Sequence, residues 1–81
     1  MEIKWEPGFE IRVSIVNGAA VISANREGLL SLAGQLSALA EAPAGSHIHY
    51  DECSCLEEGS SEMIIEKLVP LDRDIRPGSG D

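Results

Sequence analysis

Apolar and polar residues alternate near the start of the chain. Phe9, Ile11, Val13 and Ile15 are interleaved with Glu10, Arg12 and Ser14. Successive side chains of a strand point to opposite faces, so a period of two predicts a strand with one buried face. Asn17-Gly18 follows at once. Both residues tolerate positive φ, which predicts a type I′ turn with residues 19–24 as the returning strand. Ahead of this hairpin, Ile3 and Trp5 alternate with charged residues and suggest an edge strand. Pro7-Gly8 marks a turn.

The period then becomes helical. Asn25 is a good N-cap, and Glu27 sits in the first turn where the helix dipole favours a negative charge. Leu29, Leu32, Ala33, Leu36, Leu39 and Ala40 recur at helical spacing, with Leu30 at the margin. This predicts one amphipathic helix of about four turns whose Leu and Ala stripe forms the core. Gly28 and Gly34 interrupt it at roughly 1 kcal/mol each; Gly34 is the expected point of close approach to the sheet. Pro43 and Gly45 end the helix. Residues 46–51 read as a third strand, 52–60 as an acidic loop and 62–69 as a fourth strand stopped by Pro70.

The order β-β-α-β-β predicts an α+β fold of two layers. A four-stranded, mainly antiparallel sheet carries one helix on one face, and the other face is solvated or meets a partner. Residues 1–70 are expected to be a single domain and 71–81 a disordered tail. A chain of 81 residues buries only about 60% of its unfolded surface, so the core is modest. It must consist of Ile, Val, Leu and Ala, since Trp5, Phe9 and Tyr50 are its only aromatics.

The charge narrows the partners. With 14 acidic and 6 basic side chains the net charge is −8. Such a chain repels phosphate backbones and anionic membranes and suits a basic protein. No apolar run approaches the ~20 residues of a membrane span, and the N-terminus lacks a signal-peptide pattern, so a cytoplasmic location is expected.

All candidate chemistry lies in one stretch. His47, His49, Asp51, Cys53 and Cys55 occupy alternate positions. On one continued strand they would share a face, and each residue type can bind zinc. At ~3.3 Å per residue, however, the ends of that row lie about 26 Å apart, while zinc–ligand bonds measure ~2 Å. His47–His49 and Cys53–Cys55 are therefore two half-sites with nothing elsewhere to complete either, and no metal or other cofactor is expected. Cys53 beside His49 lacks an orienting group and an oxyanion turn, so a thiolate nucleophile is not expected either. Glu57, Glu58 and Glu62 sit in an acidic cluster without an apolar pocket, which favours a docking surface over acid–base catalysis. Cys53 and Cys55, one residue apart, read as free thiols.

One wider pattern spans residues 25–69. It comprises Asn25-Arg26-Glu27-Gly28-Leu29, Leu32-Ala33, Pro43, Gly45, His47-Ile48-His49 and Asp51, then Leu56-Glu57-Glu58-Gly59-Ser60, Glu62 and Ile64-Ile65-Glu66-Lys67. It resembles the immunity protein 32 family of bacterial polymorphic toxin systems. Tyr50 stands where the family pattern carries an aliphatic residue, and Cys53 and Cys55 lie outside it. The resemblance implies a non-catalytic inhibitor of a cognate toxin. Charge complementarity suggests a basic toxin, such as a nuclease, met by His47, His49, Asp51, Glu57, Glu58 and Glu62. The two histidines would make recognition sensitive to pH. Two other readings stand beside it: a metal-binding module on the histidine strand, and a general interaction domain, monomeric or a weak homodimer formed through an open sheet face or edge.

Overall fold

The computed structural model describes residues 1–70. The expected disordered tail, 71–81, lies outside them. Four strands and one helix occur in the predicted order: β1 (Ile11–Val16), β2 (Ala19–Ala24), α1 (Arg26–Ala40), β3 (His47–Tyr50) and β4 (Met63–Glu66).

β1 and β2 form an antiparallel hairpin that runs from Ile11 opposite Ala24 to Val16 opposite Ala19. The turn between them has positive φ at both residues, 52° at Asn17 and 82° at Gly18. This is the backbone a type I′ turn requires, and it matches the right-handed twist of the strands. Ile11 and Val13 are buried, but Ile15 and Ile22 on the same face are 60% and 45% exposed. The outer half of the hairpin therefore projects beyond the core.

The expected four-stranded sheet does not form. β1 and β2 make one two-stranded sheet, and β3 and β4 make another, with Ile48 opposite Ile65 and Tyr50 opposite Met63. The reason lies at the second edge of β1. The Ile11 carbonyl accepts from the Glu57 amide at 2.9 Å and the Val13 carbonyl from the Ser61 amide at 2.8 Å. The Val13 amide donates to Ser60 Oγ at 3.2 Å. A residue step of two on β1 is thus matched by a step of four on residues 57–61. That mismatch cannot continue as a ladder, so an irregular segment occupies this edge of β1 and neither β3 nor β4 pairs there. Ile3 and Trp5 form no strand either.

α1 begins as predicted. Asn25 Oδ1 accepts from the Gly28 amide at 2.7 Å, satisfying one free donor of the first turn. Its buried face, however, is rotated from the predicted stripe. Gly28, Ser31, Leu32, Gln35 and Leu39 are buried, while Leu29 and Leu36 are 55% and 44% exposed. Contacts of Gly28, Ser31 and Gln35 accompany this rotation. A Cβ on Gly28 would lie 2.5 Å from the Glu10 carbonyl oxygen and 2.9 Å from Ile11 Cγ1, so only glycine lets the helix sit this close to the base of the hairpin. Gly34, expected in that role, faces open space. Ser31 and Gln35 then bind the N-terminal lead-in. Ser31 Oγ accepts from the Glu6 amide at 2.7 Å, and Gln35 Nε2 donates to the Lys4 carbonyl at 2.8 Å.

The core joins both hairpins to the helix through Ile11, Val13, Leu32, Leu39, Ile48, Tyr50 and Leu56. Tyr50, fully buried, donates its hydroxyl to Gln35 Oε1 at 2.8 Å. Trp5 stacks on Phe9 with centroids 4.5 Å apart and meets the Tyr50 ring edge-on at 6.3 Å. At the other end, Lys67 Nζ donates to the Ala40 and Ala42 carbonyls at 2.7 and 2.8 Å. The helix has no basic residue in its own last turn, so this cation from beyond β4 supplies the favourable charge at its negative end.

Candidate functional site

β3 alternates cleanly. Ile48 and Tyr50 point into the core, and His47 and His49 face solvent. The pairing extends this exposed face onto β4, where Glu66 lies opposite His47 and the apolar Ile64 opposite His49. His49 Nε2 stands 3.7 Å from Glu62 Oε1, an ion pair when the imidazole is protonated. His47 and His49 also border a groove of about 330 Å³ that is shared with Met1, Ile3, Trp5 and Cys55.

Asp51 ends the strand and organises the turn beyond it. Its carbonyl accepts from the Cys55 and Leu56 amides at 3.0 and 2.9 Å. Its Oδ1 accepts from the Ser54 hydroxyl at 2.7 Å and the Ser54 amide at 3.0 Å. The Ser54 hydroxyl bond is the main reason that its carboxyl is held below the usual aspartate range, with smaller help from backbone donors and from His49. Asp51 thus bends the chain through local bonds and buries Leu56 at the far side of the turn. Cys53 is exposed and Cys55 half-buried, both as free thiols. Burial, with Cys55 nearby, pushes the Tyr50 phenol up and keeps it a neutral donor to Gln35.

The acidic loop is held against the first hairpin through its backbone. The Glu57 amide donates to the Ile11 carbonyl, and Arg12 Nη1 donates to the Glu58 carbonyl at 3.0 Å. Glu52 Oε2 accepts from the Gly59 amide at 3.2 Å. The backbone of Glu57 and Glu58 is therefore fixed while the Glu58 side chain stays exposed.

The structure brings His49, Glu62 and Asp51 into one neighbourhood and places Glu57 and Glu58 at the junction with β1. Among the described residues, no three His, Cys, Asp or Glu side chains group closely enough to hold a metal ion. Also among the described residues, no helix is long and apolar enough to cross a membrane. Sequence reasoning passed over Ser31 and Gln35, since polar residues on a helix normally read as its solvent face. The lone signal was their spacing beside Gly28 and Leu32, on one turn-to-turn stripe.

These features define a small acidic α+β protein that presents a polar strand and a backbone-anchored acidic loop to solvent. The sequence profile of the family described as Immunity protein 32 matches residues 20–68, from β2 through β4. The chain belongs to that family, and membership suggests a role other than catalysis, with a toxin as the kind of partner. No curated protein and no solved structure is similar enough to match.

Proposed function

We propose that this protein is a non-catalytic immunity protein that binds and neutralises a cognate bacterial toxin in the cytoplasm of the cell that makes it. The match to the immunity family over residues 20–68 carries the reading. It takes in both histidines, the acidic loop and β4. The contact surface is formed by His47, His49, Asp51, Glu57, Glu58 and Glu62, and the net charge of −8 favours a basic toxin that handles nucleic acid, such as a nuclease. Opposite fields speed the encounter of such a pair.

Asp51, besides its place on this surface, shapes the turn that sets the loop beside the histidine strand. Glu57 and Glu58 serve it directly, because their backbone is already ordered and little backbone freedom remains to be lost on binding.

The test is association kinetics with the protein encoded by the neighbouring gene. Reversing Glu57 and Glu58 to Lys should slow association by roughly tenfold or more at low salt and flatten its salt dependence. Rates that do not change would show that the loop is only a solvated face. No complex at all with the neighbouring gene product would remove the toxin-binding reading.

A further inference from the structure

Among the described residues, strand edges are occupied or carry polar and charged side chains, with one exception. β1 pairs with β2 on one side, and its other edge is bonded to residues 57–61. β3 and β4 carry His47, His49 and Glu66, and Glu62 and Lys67 flank β4. Charged residues such as Glu62, Glu66 and Lys67 discourage a further strand from pairing. β2 has no such protection. Its sequence, Ala-Ala-Val-Ile-Ser-Ala, holds no charge and no proline, and its register with β1 runs without a bulge. It is a neutral strand in a chain of charge −8.

The turn fixes which groups are free. Residues flanking a two-residue turn form a hydrogen-bonded pair, so Ala19, Val21 and Ser23 aim their main-chain groups at β1. Ala20 and Ile22 then aim theirs outward. The same phase on β1 aims Ile11 and Val13 outward, and those are the residues bonded to residues 57–61. Val21 and Ile22, which point to opposite faces of the strand, are both exposed.

We propose that β2 pairs antiparallel with β2 of a second copy, giving a continuous four-stranded sheet in the order β1-β2-β2-β1. Three observations select a second copy as the occupant. The strand is self-complementary: outward residues must meet outward residues, and setting Ala20 opposite Ile22 of the second copy places Val21 opposite itself on the two-fold axis. Every resulting pair is uncharged, and the ladder stops short of Ala24, where the chain turns into α1. The assembly also closes. The far edge of each β1 is already occupied, so the joined sheet ends in covered strands and does not grow into a fibre. Finally, a basic toxin gains nothing from charge at β2, whereas a neutral edge suits two acidic copies that repel everywhere else. A two-fold axis perpendicular to the sheet puts both helices on one side and sets the exposed Ile15 and Ile22 of each copy near the seam.

This goes beyond toxin binding and is tested on the full chain alone. Sedimentation from about 10 to about 500 µM should show a reversible monomer–dimer equilibrium. It should tighten as salt rises from about 0.05 to about 0.5 M, because salt screens the repulsion between the copies. Toxin binding through opposite charges should weaken over the same range. Ala20→Pro removes an outward N–H that the hairpin does not use, and edge positions accept proline. The two-fold axis deletes that bond twice, so dimerisation should weaken roughly tenfold or more. Val21→Lys sets like charges opposite each other and should give a monomer. It alters an exposed side chain and decides the matter if circular dichroism shows Ala20→Pro misfolded. Amide exchange at Ala20 and Ile22 should slow with rising protein concentration. A monomer throughout the range, a dimer indifferent to both substitutions, or growth past two copies would each overturn the proposal.

Discussion

The two hairpins of this molecule are built on opposite principles. β1 and β2 are joined by two residues whose backbone matches the strand twist, so the pair is specified locally. β3 and β4 are joined by residues 51–62 and must recover the entropy of closing that loop, on the order of 1–2 kcal/mol more than a tight turn. They do so through non-local contacts: the Tyr50–Gln35 bond, the burial of Leu56 and the docking of the loop on β1. The local hairpin can leave its outer half bare, with Ile15, Val16, Val21 and Ile22 exposed. The non-local hairpin carries the polar and acidic residues. A turn that closes a hairpin cheaply leaves its tip free of the core. A long loop that needs anchoring becomes an ordered surface.

The sharpest way to break the comparison is at the base of the first hairpin. Gly28→Ala puts a methyl group against the Glu10 carbonyl and Ile11, and forcing the helix away should cost about 2–3 kcal/mol, read as a lower midpoint in urea unfolding. Tyr50→Phe attacks the second hairpin. It strands the buried Gln35 Oε1, an expected loss of about 1–3 kcal/mol in the same measurement. Ser60→Ala cuts a bond between the two regions, the one accepted from the Val13 amide. About 1 kcal/mol should be lost, with faster amide exchange at Val13. Gly34→Ala, in open space on the helix, should instead stabilise by about 0.5–1 kcal/mol and raise Tm. Equal effects at positions 28 and 34 would mean that the close approach of the helix is not what Gly28 provides.

The smallest effect concerns pH. The Asp51 carboxyl is depressed chiefly by the Ser54 hydroxyl. A depressed carboxyl contributes stability that is full above its unfolded value and is lost as pH falls through the lower folded value. Ser54→Ala should therefore lower stability slightly across the neutral range, and the difference from the parent should fade as pH falls below about 4, which flattens the acid-side slope. Denaturant titrations at a series of pH values read this directly.

The first hairpin, its turn, the Asn25 cap, the helix and the alternation of β3 were legible in the sequence because each rests on neighbours a few residues apart. The joining of strands into one sheet was not. Which segment takes the second edge of β1 depends on bonds between residues 11–13 and 57–61, and no local pattern encodes them. The helix face was misjudged for a related reason. Counting apolar residues favoured Leu29 and Leu36, but the contact of Gly28 with Glu10 and Ile11, and the bonds of Ser31 and Gln35 to residues 4 and 6, turned the helix toward its small and polar side. Of the six candidate contact residues, the exposure of His47 and His49 followed from strand period. The role of Asp51 in its turn emerged only from its bonds to Ser54, Cys55 and Leu56.

The Lys67 cap has a consequence in time as well as in space. The carbonyls of Ala40 and Ala42 receive this cation from a residue made some two dozen positions later, and the edge of β1 likewise waits for residues 57–61. A nascent chain that has emerged from the ribosome only through the helix therefore shows two open strand edges and a helix end without its cation. Protease resistance of stalled nascent chains should rise late, as residues 57–67 clear the exit tunnel. In a crowded polysome, the interval before that point is when neighbouring copies are most exposed to one another.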